Sequence, residues 1–469
     1  MSTTVPAGTP IAAPTWSLAR MWPYLLLIAV SAVLHFAWYQ WPQTVVLDEV
    51  YFPRYGLAYL KGEYFFDLHP PLGKLIYYVT AWLAGLDPTF SFATNQLPFP
   101  DASYIALRIP PRLAGTLLPL VLAGVALELG LSRWAALVVG ALAALDNGLL
   151  VMSRFALVDP FLLLFGFGAF WFYLRGRDRN WKWLVAAALL GGAALSVKWT
   201  GLSFVALILL AEGLRWLRAP NARGLARIGL VGLLAVAVYV ACFVAHFSLA
   251  ARSGPDDAVM SREFQATLIG NPNANDPALH RPGWLSRFAE LHQRMFENTR
   301  KSVAPHAYAS KWYEWPFMGR SLDLWAEHKG GQITHIYFLG NPVVWWAAAY
   351  CILYLLLNFP PRLFSLAALR PGATIDRGEV SIVLAYLANM LPFVPIARVL
   401  FTYHYLAALC VALIGLGYLL DRCGEYRKPV GAVLIALAFG CNVYFAPLSY
   451  GLPLSPGAFD NRFWMSGWR

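Results

Sequence analysis

Charge is the scarcest ingredient of this chain. Only 13% of its 469 residues are Asp, Glu, Lys or Arg, about half the ~25% of an ordinary soluble domain, while hydrophobic types reach 59%. That scarcity excludes a disordered chain and argues against a string of soluble domains. Cysteine is sparse as well. The five present, Cys242, Cys351, Cys410, Cys423 and Cys441, are scattered and mostly lie inside apolar runs. Their spacing suits neither a metal site nor a disulfide framework. No internal repeat and no sustained heptad pattern is found. What remains is a polytopic membrane protein.

A bilayer-spanning helix needs ~20 mostly apolar residues. Eleven runs of that kind centre on Trp22–Tyr39, Arg112–Leu129, Trp134–Leu150, Leu157–Leu174, Trp183–Lys198, Gly201–Leu217, Ile228–Phe247, Pro342–Leu357, Val380–Ile396, Val399–Leu420 and Val430–Phe445. A twelfth, Leu72–Leu86, is short and interrupted by Lys74 and Gly85. Lys and Arg gather in cytoplasmic loops. Clusters occur at Arg175, Arg177, Arg179 and Lys182, at Arg215, Arg218, Arg223 and Arg227, at Arg362, Arg370 and Arg377, and at Arg422, Arg427 and Lys428. All four fall on the side of Arg20 only if Leu72–Leu86 does not cross, which makes it interfacial or re-entrant.

The expected fold is therefore all-α, with about 11 transmembrane helices, a cytoplasmic N-terminus and an external C-terminus. The first apolar run reads as an anchor, without a clear cleavage site. The expected organisation is a cytoplasmic tail at 1–21, a seven-helix membrane module at 22–248 with an external loop at 40–109, an external loop at 249–339, a four-helix membrane module at 340–447 and an external tail at 448–469. The excess of 36 basic over 25 acidic residues, net +11, is mostly arginine facing anionic lipid, so no nucleic-acid partner is implied.

Ionisable residues near apolar runs are costly unless they serve a site. On this topology Asp48, Glu49, Arg54, His69, Lys74, Arg108, Arg112, Arg154, Asp159, Lys198, Arg398 and His404 converge on the external face. Asp48-Glu49 follows the first helix. Either acid beside an apolar wall can have its pKa raised and act as a general base; ordinary interfacial solvation is the bland reading. His69 and Lys74 bracket the start of the interfacial helix behind Pro70-Pro71, where free N–H groups favour an anion; a turn with a snorkelling lysine explains them too.

Arg108 and Arg112 offer the planar fork that suits phosphate. Arg154 and Asp159 read as a mutual ion pair at least as readily as catalytic groups, and Lys198 as a snorkelling amine or a headgroup ligand. His306, Tyr308, Lys311, Trp312, Tyr313, Glu314, Trp315, Pro316 and Arg320 combine rings with polar tips, a surface that suits sugars or an aromatic belt. Asn341-Pro342 has the form of an N-cap and first helical residue. His404 reads as packed unless it faces the same cavity.

Taken in order, Leu47-Asp48-Glu49, His69-Pro70-Pro71-Leu72-Gly73-Lys74, Ser196-Val197-Lys198-Trp199-Thr200-Gly201, Trp315-Pro316, Leu339-Gly340-Asn341-Pro342-Val343-Val344-Trp345-Trp346 and Arg398-Val399-Leu400-Phe401-Thr402-Tyr403-His404-Tyr405 resemble the protein O-mannosyltransferase family. These are membrane glycosyltransferases of the GT-C class that use polyprenyl-phosphate sugars. The resemblance implies eleven transmembrane helices, in agreement with the parity count. It also implies Asp48 as catalytic acid with Glu49 as its partner, and Arg108 as the arginine preceding the second helix. The second external loop has only about 90 residues, so the chain is similar to bacterial members that lack a large sugar-binding insertion.

The implied function is transfer of a mannosyl or similar hexosyl residue from a polyprenyl-phosphate sugar to Ser/Thr hydroxyls of proteins. A bacterial inner membrane with the site on its periplasmic side is the expected location. The lipid phosphate is already a good leaving group and needs positive charge nearby, for which Arg108, His69, Lys74 and Lys198 are candidates. Asp48 as a single base predicts inversion at the anomeric carbon. Trp312, Glu314, Trp315, Arg320 and His404 are candidates for acceptor or sugar contacts. No metal or other cofactor is required, and a divalent ion (Mg or Mn) bridging acid and phosphate is left open. Two rivals stand beside this reading: the same donor with a lipid or glycan acceptor, and a lipid-linked transporter or flippase. Repeats with charged helices in corresponding halves would mark the latter.

Overall fold

A computed structural model describes residues 18–177, 180–300, 306–367, 377–396 and 398–469. Residues 1–17 of the expected tail, Arg179 and Arg370 lie outside the described residues. In chain order, α1 (Leu18–Phe36) leads into a 3-10 turn at Leu47–Val50 and two short helices, α2 (Phe52–Lys61) and α3 (Leu72–Ala84). There follow α4 (Ile109–Glu128), α5 (Arg133–Ala144), α6 (Asn147–Arg154), α7 (Asp159–Gly176), α8 (Trp181–Val197), α9 (Leu202–Arg218) and α10 (Ala222–Leu249). The next segment carries α11 (Arg262–Gln265), α12 (Trp284–Arg300) and an antiparallel hairpin, β1 (Leu322–Lys329) and β2 (Gln332–Phe338). Last come α13 (Pro342–Ala367), α14 (Arg377–Met390), α15 (Leu406–Asp421), α16 (Arg427–Tyr450) and α17 (Pro456–Asp460).

Each of the eleven apolar runs contains helix. Among the described residues, five helical stretches are long and apolar enough to cross a bilayer alone, or six if one bent pair counts as a single span. α3, with 13 residues, falls short of the ~20 that a crossing needs. Two runs depart from simple expectation. Trp134–Leu150 bends by 55° between α5 and α6. Asp146 stabilises the break: Oδ1 accepts from the Leu149 amide at 2.8 Å, and Oδ2 accepts from the Asn341 amide at 2.9 Å and Trp345 Nε1 at 2.8 Å. Asn341 Nδ2 donates to the carbonyls of Leu145 (3.1 Å) and Ala438 (2.8 Å), so Asn341 both begins α13 and satisfies the kink. In the run Val399–Leu420, helix α15 starts only at Leu406, after an irregular stretch and a 3-10 turn at Thr402–Tyr405.

The fold is not purely α. The hairpin turns on Gly330 and Gly331, at φ 60° and 74°, the two positive values that a type I′ connection demands. It positions the loop above the bundle through Trp325 Nε1, which donates to Thr44 Oγ1 at 2.8 Å.

Arg112 and Arg154, both buried, tie α4 and α6 to the exit of α1. Arg154 Nη1 donates to Ala37 O at 2.9 Å, and Arg112 Nη1 to Tyr39 O at 2.7 Å. Cations at a helix C-terminus satisfy its orphan carbonyls. Gly73 has its own packing reason, because a Cβ there would lie 2.5 Å from Val158 Cγ1. Only glycine lets α3 press against the bend at Val158 that enters α7.

Candidate active site

The acid pair sits on the 3-10 turn after α1, which Leu47 enters at φ 44°, a left-handed conformation that is unfavourable for a side chain. Asn95 holds this bend: its Oδ1 accepts from the Leu47 amide at 3.2 Å and its Nδ2 donates to Leu324 O of β1 at 3.0 Å. Beyond the bend the two acids part. Glu49 is 1% exposed, and its carboxylate accepts from Arg108 Nε (2.8 Å), Arg108 Nη2 (2.7 Å), the Val46 amide (2.8 Å) and the Ala156 amide (2.8 Å). Asp48 is half-buried. Its carboxylate makes no hydrogen bond or ion pair among the described residues. Burial pushes this carboxyl up to about 6, with Lys198 opposing and Asp159 and Asp67 adding to the rise.

Lys198 follows α8, is buried, and supplies the positive charge that acts on Asp48. Its Nζ donates to both oxygens of Asp159, each at 2.8 Å, and lies 5.6 Å from the Tyr403 ring centre. An ammonium has three donors, so one N–H remains for another group. Lys74 is different: its Nζ donates to Asp67 Oδ2 (2.6 Å), to Pro70 O (2.8 Å) and to His69 O. All three of its donors close the turn that leads into α3. His69 is half-buried and stacks on Phe52 at 6.1 Å. Burial holds its imidazole well below the usual value, and Lys198, Lys74 and Arg398 push the same way, so at neutral pH it is an uncharged hydrogen-bonding group.

The stretch between α14 and α15 forms the opposite wall. His404 lies between near-parallel rings, Tyr403 at 4.6 Å and Trp315 at 5.9 Å. Its Nδ1 is anchored on the Phe401 backbone, 2.9 Å from the carbonyl oxygen and 3.3 Å from the amide nitrogen. Trp315 itself is fully buried, with Nε1 donating to Ser310 Oγ at 2.9 Å. Thr402 Oγ1 donates to Arg320 O at 2.9 Å, which fastens the loop to this wall. Arg398, part-exposed, has a buried Nε–H with no hydrogen-bond partner. Its charge acts on His69, His404 and Tyr403, and that of Asp48 acts on Tyr403. An open carboxylate, a lysine with a spare donor and a guanidinium with an unpaired Nε–H are thus linked through the charges they exert on one another and on His69, His404 and Tyr403. Such a set can take a proton from a hydroxyl while neutralising a departing anion.

Two family models match the chain. One, dolichyl-phosphate-mannose-protein mannosyltransferase, matches residues 25–251; the other, the C-terminal four-helix membrane region of protein O-mannosyltransferase, matches residues 284–468. The chain belongs to the protein O-mannosyltransferase family. Protein O-mannosyltransferase 1 of Drosophila pseudoobscura pseudoobscura is 35% identical over 246 residues, 49% of this chain and 27% of that protein. Protein O-mannosyl-transferase 2 of Danio rerio is 31% identical over 265 residues, 52% and 35% of the two lengths. The matched stretch therefore spans about a third or less of these relatives.

Among solved structures, one chain of the Saccharomyces cerevisiae protein O-mannosyltransferase Pmt1-Pmt2 complex bound to the sugar donor superposes with a TM-score of 0.87. It does so at 19% identity, over 97% of this chain and 93% of that one. ArnT of Cupriavidus metallidurans in the apo state gives 0.51 at 16% identity, over 92% and 65%. Both likenesses concern the fold, a multi-pass GT-C membrane architecture.

Within this family member the site departs from several sequence expectations. Arg108 is engaged within the protein: besides Glu49, it donates to Pro42 O at 2.5 Å and Thr44 O at 2.6 Å, between the rings of Phe99 and Phe155. Glu49 is held as its counter-ion. Lys74 has no donor left for a ligand. Arg154 and Asp159 do not pair; Asp159 belongs to Lys198. Trp315 supports His404 from below instead of offering a face to a sugar. Trp312 packs half-buried on the core, Glu314 accepts from the Lys311 amide at 2.9 Å, and the Arg320 side chain is exposed. Among the described residues no three His, Cys, Asp or Glu side chains form a group able to hold a metal. The cation missed as a site residue is Arg398. It heads the same motif as His404, and its charge beside an apolar run was the signal available.

Proposed function

We propose that this chain transfers a mannosyl residue from a polyprenyl-phosphate mannose to Ser or Thr hydroxyls of proteins, on the external, periplasmic side of a bacterial inner membrane. One observation carries the reading: adjacent acids are sorted so that Glu49 is neutralised by Arg108 and Asp48 is left open beside Lys198. The acceptor oxygen attacks C1 of the sugar, Asp48 takes its proton, the bond from C1 to the phosphate oxygen breaks, and the polyprenyl phosphate leaves as an anion. Arg398 and the spare N–H of Lys198 stabilise that anion. His69 adds an uncharged hydrogen bond, and His404 offers Nε2 for a hydrogen bond with a sugar hydroxyl. A carboxyl near pH 6 is well matched to a base working near neutrality, and no metal ion enters the scheme.

Labelled polyprenyl-phosphate mannose, a Ser/Thr peptide and the purified chain in lipid nanodiscs test this. The expected product is O-linked mannose on the peptide with inverted anomeric configuration, formed equally well in the presence of a chelator. Label in a lipid or glycan fraction instead would overturn the acceptor, retention of configuration would overturn single displacement, and loss of rate with chelator would overturn the metal-free scheme.

A further inference from the structure

Lys198 stands at the start of a tight turn between α8 and α9. Its amide donates to Ala194 O at 3.3 Å, and its carbonyl accepts from the Gly201 amide at 2.8 Å. Only glycine fits at 201, because a Cβ there would lie 2.3 Å from the carbonyl group of Ala194. Lys198 itself is extended, at φ −146° and ψ 147°, so its side chain and that of Trp199 leave the backbone on opposite sides. Asp159 holds the ammonium. The Trp199 side is held by a helix of the external loop.

That helix is α12. Its rings meet those of α10 in reverse order: Trp284 with Phe247 at 6.1 Å, Phe288 with Phe243 at 5.2 Å and His292 with Tyr239 at 5.6 Å. Steps of four residues on both helices make a ladder of one-turn rungs, with α12 antiparallel to α10. Leu291 and Met295 are buried beneath it, and the Glu290 carboxylate accepts from the Ser261 amide at 2.6 Å and Ser261 Oγ at 2.8 Å. The last rung reaches Trp199. Trp199 Nε1 donates to the Tyr239 hydroxyl at 2.9 Å, that hydroxyl is 2.8 Å from His292 Nε2, and His292 Nδ1 is 2.7 Å from Phe288 O.

The direction of donation is fixed along this chain. Burial holds the His292 imidazole below its usual value, so near neutral pH it carries one N–H. The Phe288 carbonyl accepts only, which places that N–H on Nδ1. Nε2 then accepts from Tyr239, whose oxygen accepts from the indole. With Lys198 taken as the amine that neutralises the departing phosphate, as proposed above, we propose that Tyr239 and His292 are positioning residues for it. The chain from Trp199 through Tyr239 to His292 fixes the root of the lysine side chain, as Asp159 fixes its tip. A shift of Lys198 also reaches the base, because its charge opposes the rise of the Asp48 carboxyl.

The full chain in lipid nanodiscs, with labelled polyprenyl-phosphate mannose and a Ser/Thr peptide, tests this. Tyr239→Phe removes one oxygen and should lower kcat/KM for the donor roughly tenfold. It should also move the acidic limb of the pH–rate profile upward, as Lys198→Met does, since Asp67 and Asp159, the acids that also act on Asp48, are untouched. Combined with Lys198→Met it should add no further shift, because the two substitutions act through one lysine. His292→Gln, whose amide reaches the place of Nε2, should retain most of the rate. His292→Asn reaches only the place of Nδ1 and should not.

A second readout needs no transfer. At pH 8 the difference in unfolding temperature between Asp48→Asn and its parent should widen in the Tyr239→Phe background, because a carboxyl raised further on folding loses more stability once ionised. An unmoved limb with an unwidened difference in folded Tyr239→Phe would overturn the positioning role, as would shifts that add to those of Lys198→Met. If Tyr239→Phe does not fold, the two His292 variants decide, and equal rates in them would overturn it. A widened difference without any transfer to the peptide would overturn the reaction and uphold the positioning of Lys198 beside Asp48.

Discussion

Asp48 and Glu49 are neighbours in the chain and have opposite surroundings in the fold. Glu49 receives four hydrogen bonds, two of them from the Arg108 fork, at 2.7–2.8 Å, while the Asp48 carboxylate has none among the described residues and feels Lys198 as its opposing charge. A charge so fully satisfied has no capacity for chemistry, and a partly buried acid without a donor is poised to accept a proton. The left-handed bend at Leu47, held by Asn95, produces the division.

Asp48→Asn should reduce transfer by about 10²–10⁴-fold, the usual contribution of a positioned base, with insertion into the membrane unchanged. The rate of the unmodified chain should decline as pH falls below about 6. The stability sign is the reverse. A carboxyl raised from 3.8 to about 6 on folding contributes stability that is full below its unfolded value and is lost as pH rises through 6. Asp48→Asn should therefore unfold at a higher temperature than the unmodified chain at pH 8, with the gap closing towards pH 4. Thermal unfolding at the two pH values, alongside the transfer assay, checks both signs.

Lys198 lowers and Asp159 raises the Asp48 carboxyl. Lys198→Met should move the acidic limb of the pH–rate profile upward, and Asp159→Asn should move it downward. Shifts in the same direction would show that the limb belongs to another group.

Arg108→Ala and Glu49→Ala should each cost stability, about 3–5 kcal/mol, because each leaves a buried charge without its partner. Arg108→Lys should rescue little, since one ammonium cannot reproduce the fork. The measurement is the yield of monodisperse protein and its unfolding temperature; a normally folded Arg108→Ala with only a raised donor KM would instead give Arg108 a role at the donor phosphate.

Arg398→Ala should leave folding intact, since no hydrogen bond is lost among the described residues, and reduce kcat/KM for the donor by roughly 10²-fold, in the range for removal of one transition-state donor. Arg398→Lys should recover part of it. An effect confined to the acceptor peptide would place Arg398 elsewhere in the reaction.

Much of the fold was legible because its signals are local. Apolar length marked the helices, Asn341-Pro342 marked a helix start, and thirteen residues around Lys74 proved too few to cross. The hairpin was legible too, in Gly330-Gly331 between two alternating runs, but the surrounding aromatic residues drew the reading towards a sugar surface. The kink at Leu145–Asp146 was not, because its stabilising partners, Asn341 and Trp345, come from nearly two hundred residues later.

The sequence by itself determined the membrane architecture, the family and the set of ionisable residues from which a site had to be made, since hydropathy and ordered motifs are properties of the chain alone. Only the tertiary structure decided which charges face each other. It assigned Arg108 to Glu49, Asp159 to Lys198 and Lys74 to Asp67, and, among the described residues, left the Asp48 carboxylate and Arg398 Nε without hydrogen-bond partners. Pairing depends on distances of a few ångströms between residues far apart in the chain, and such distances exist only once the helices have packed.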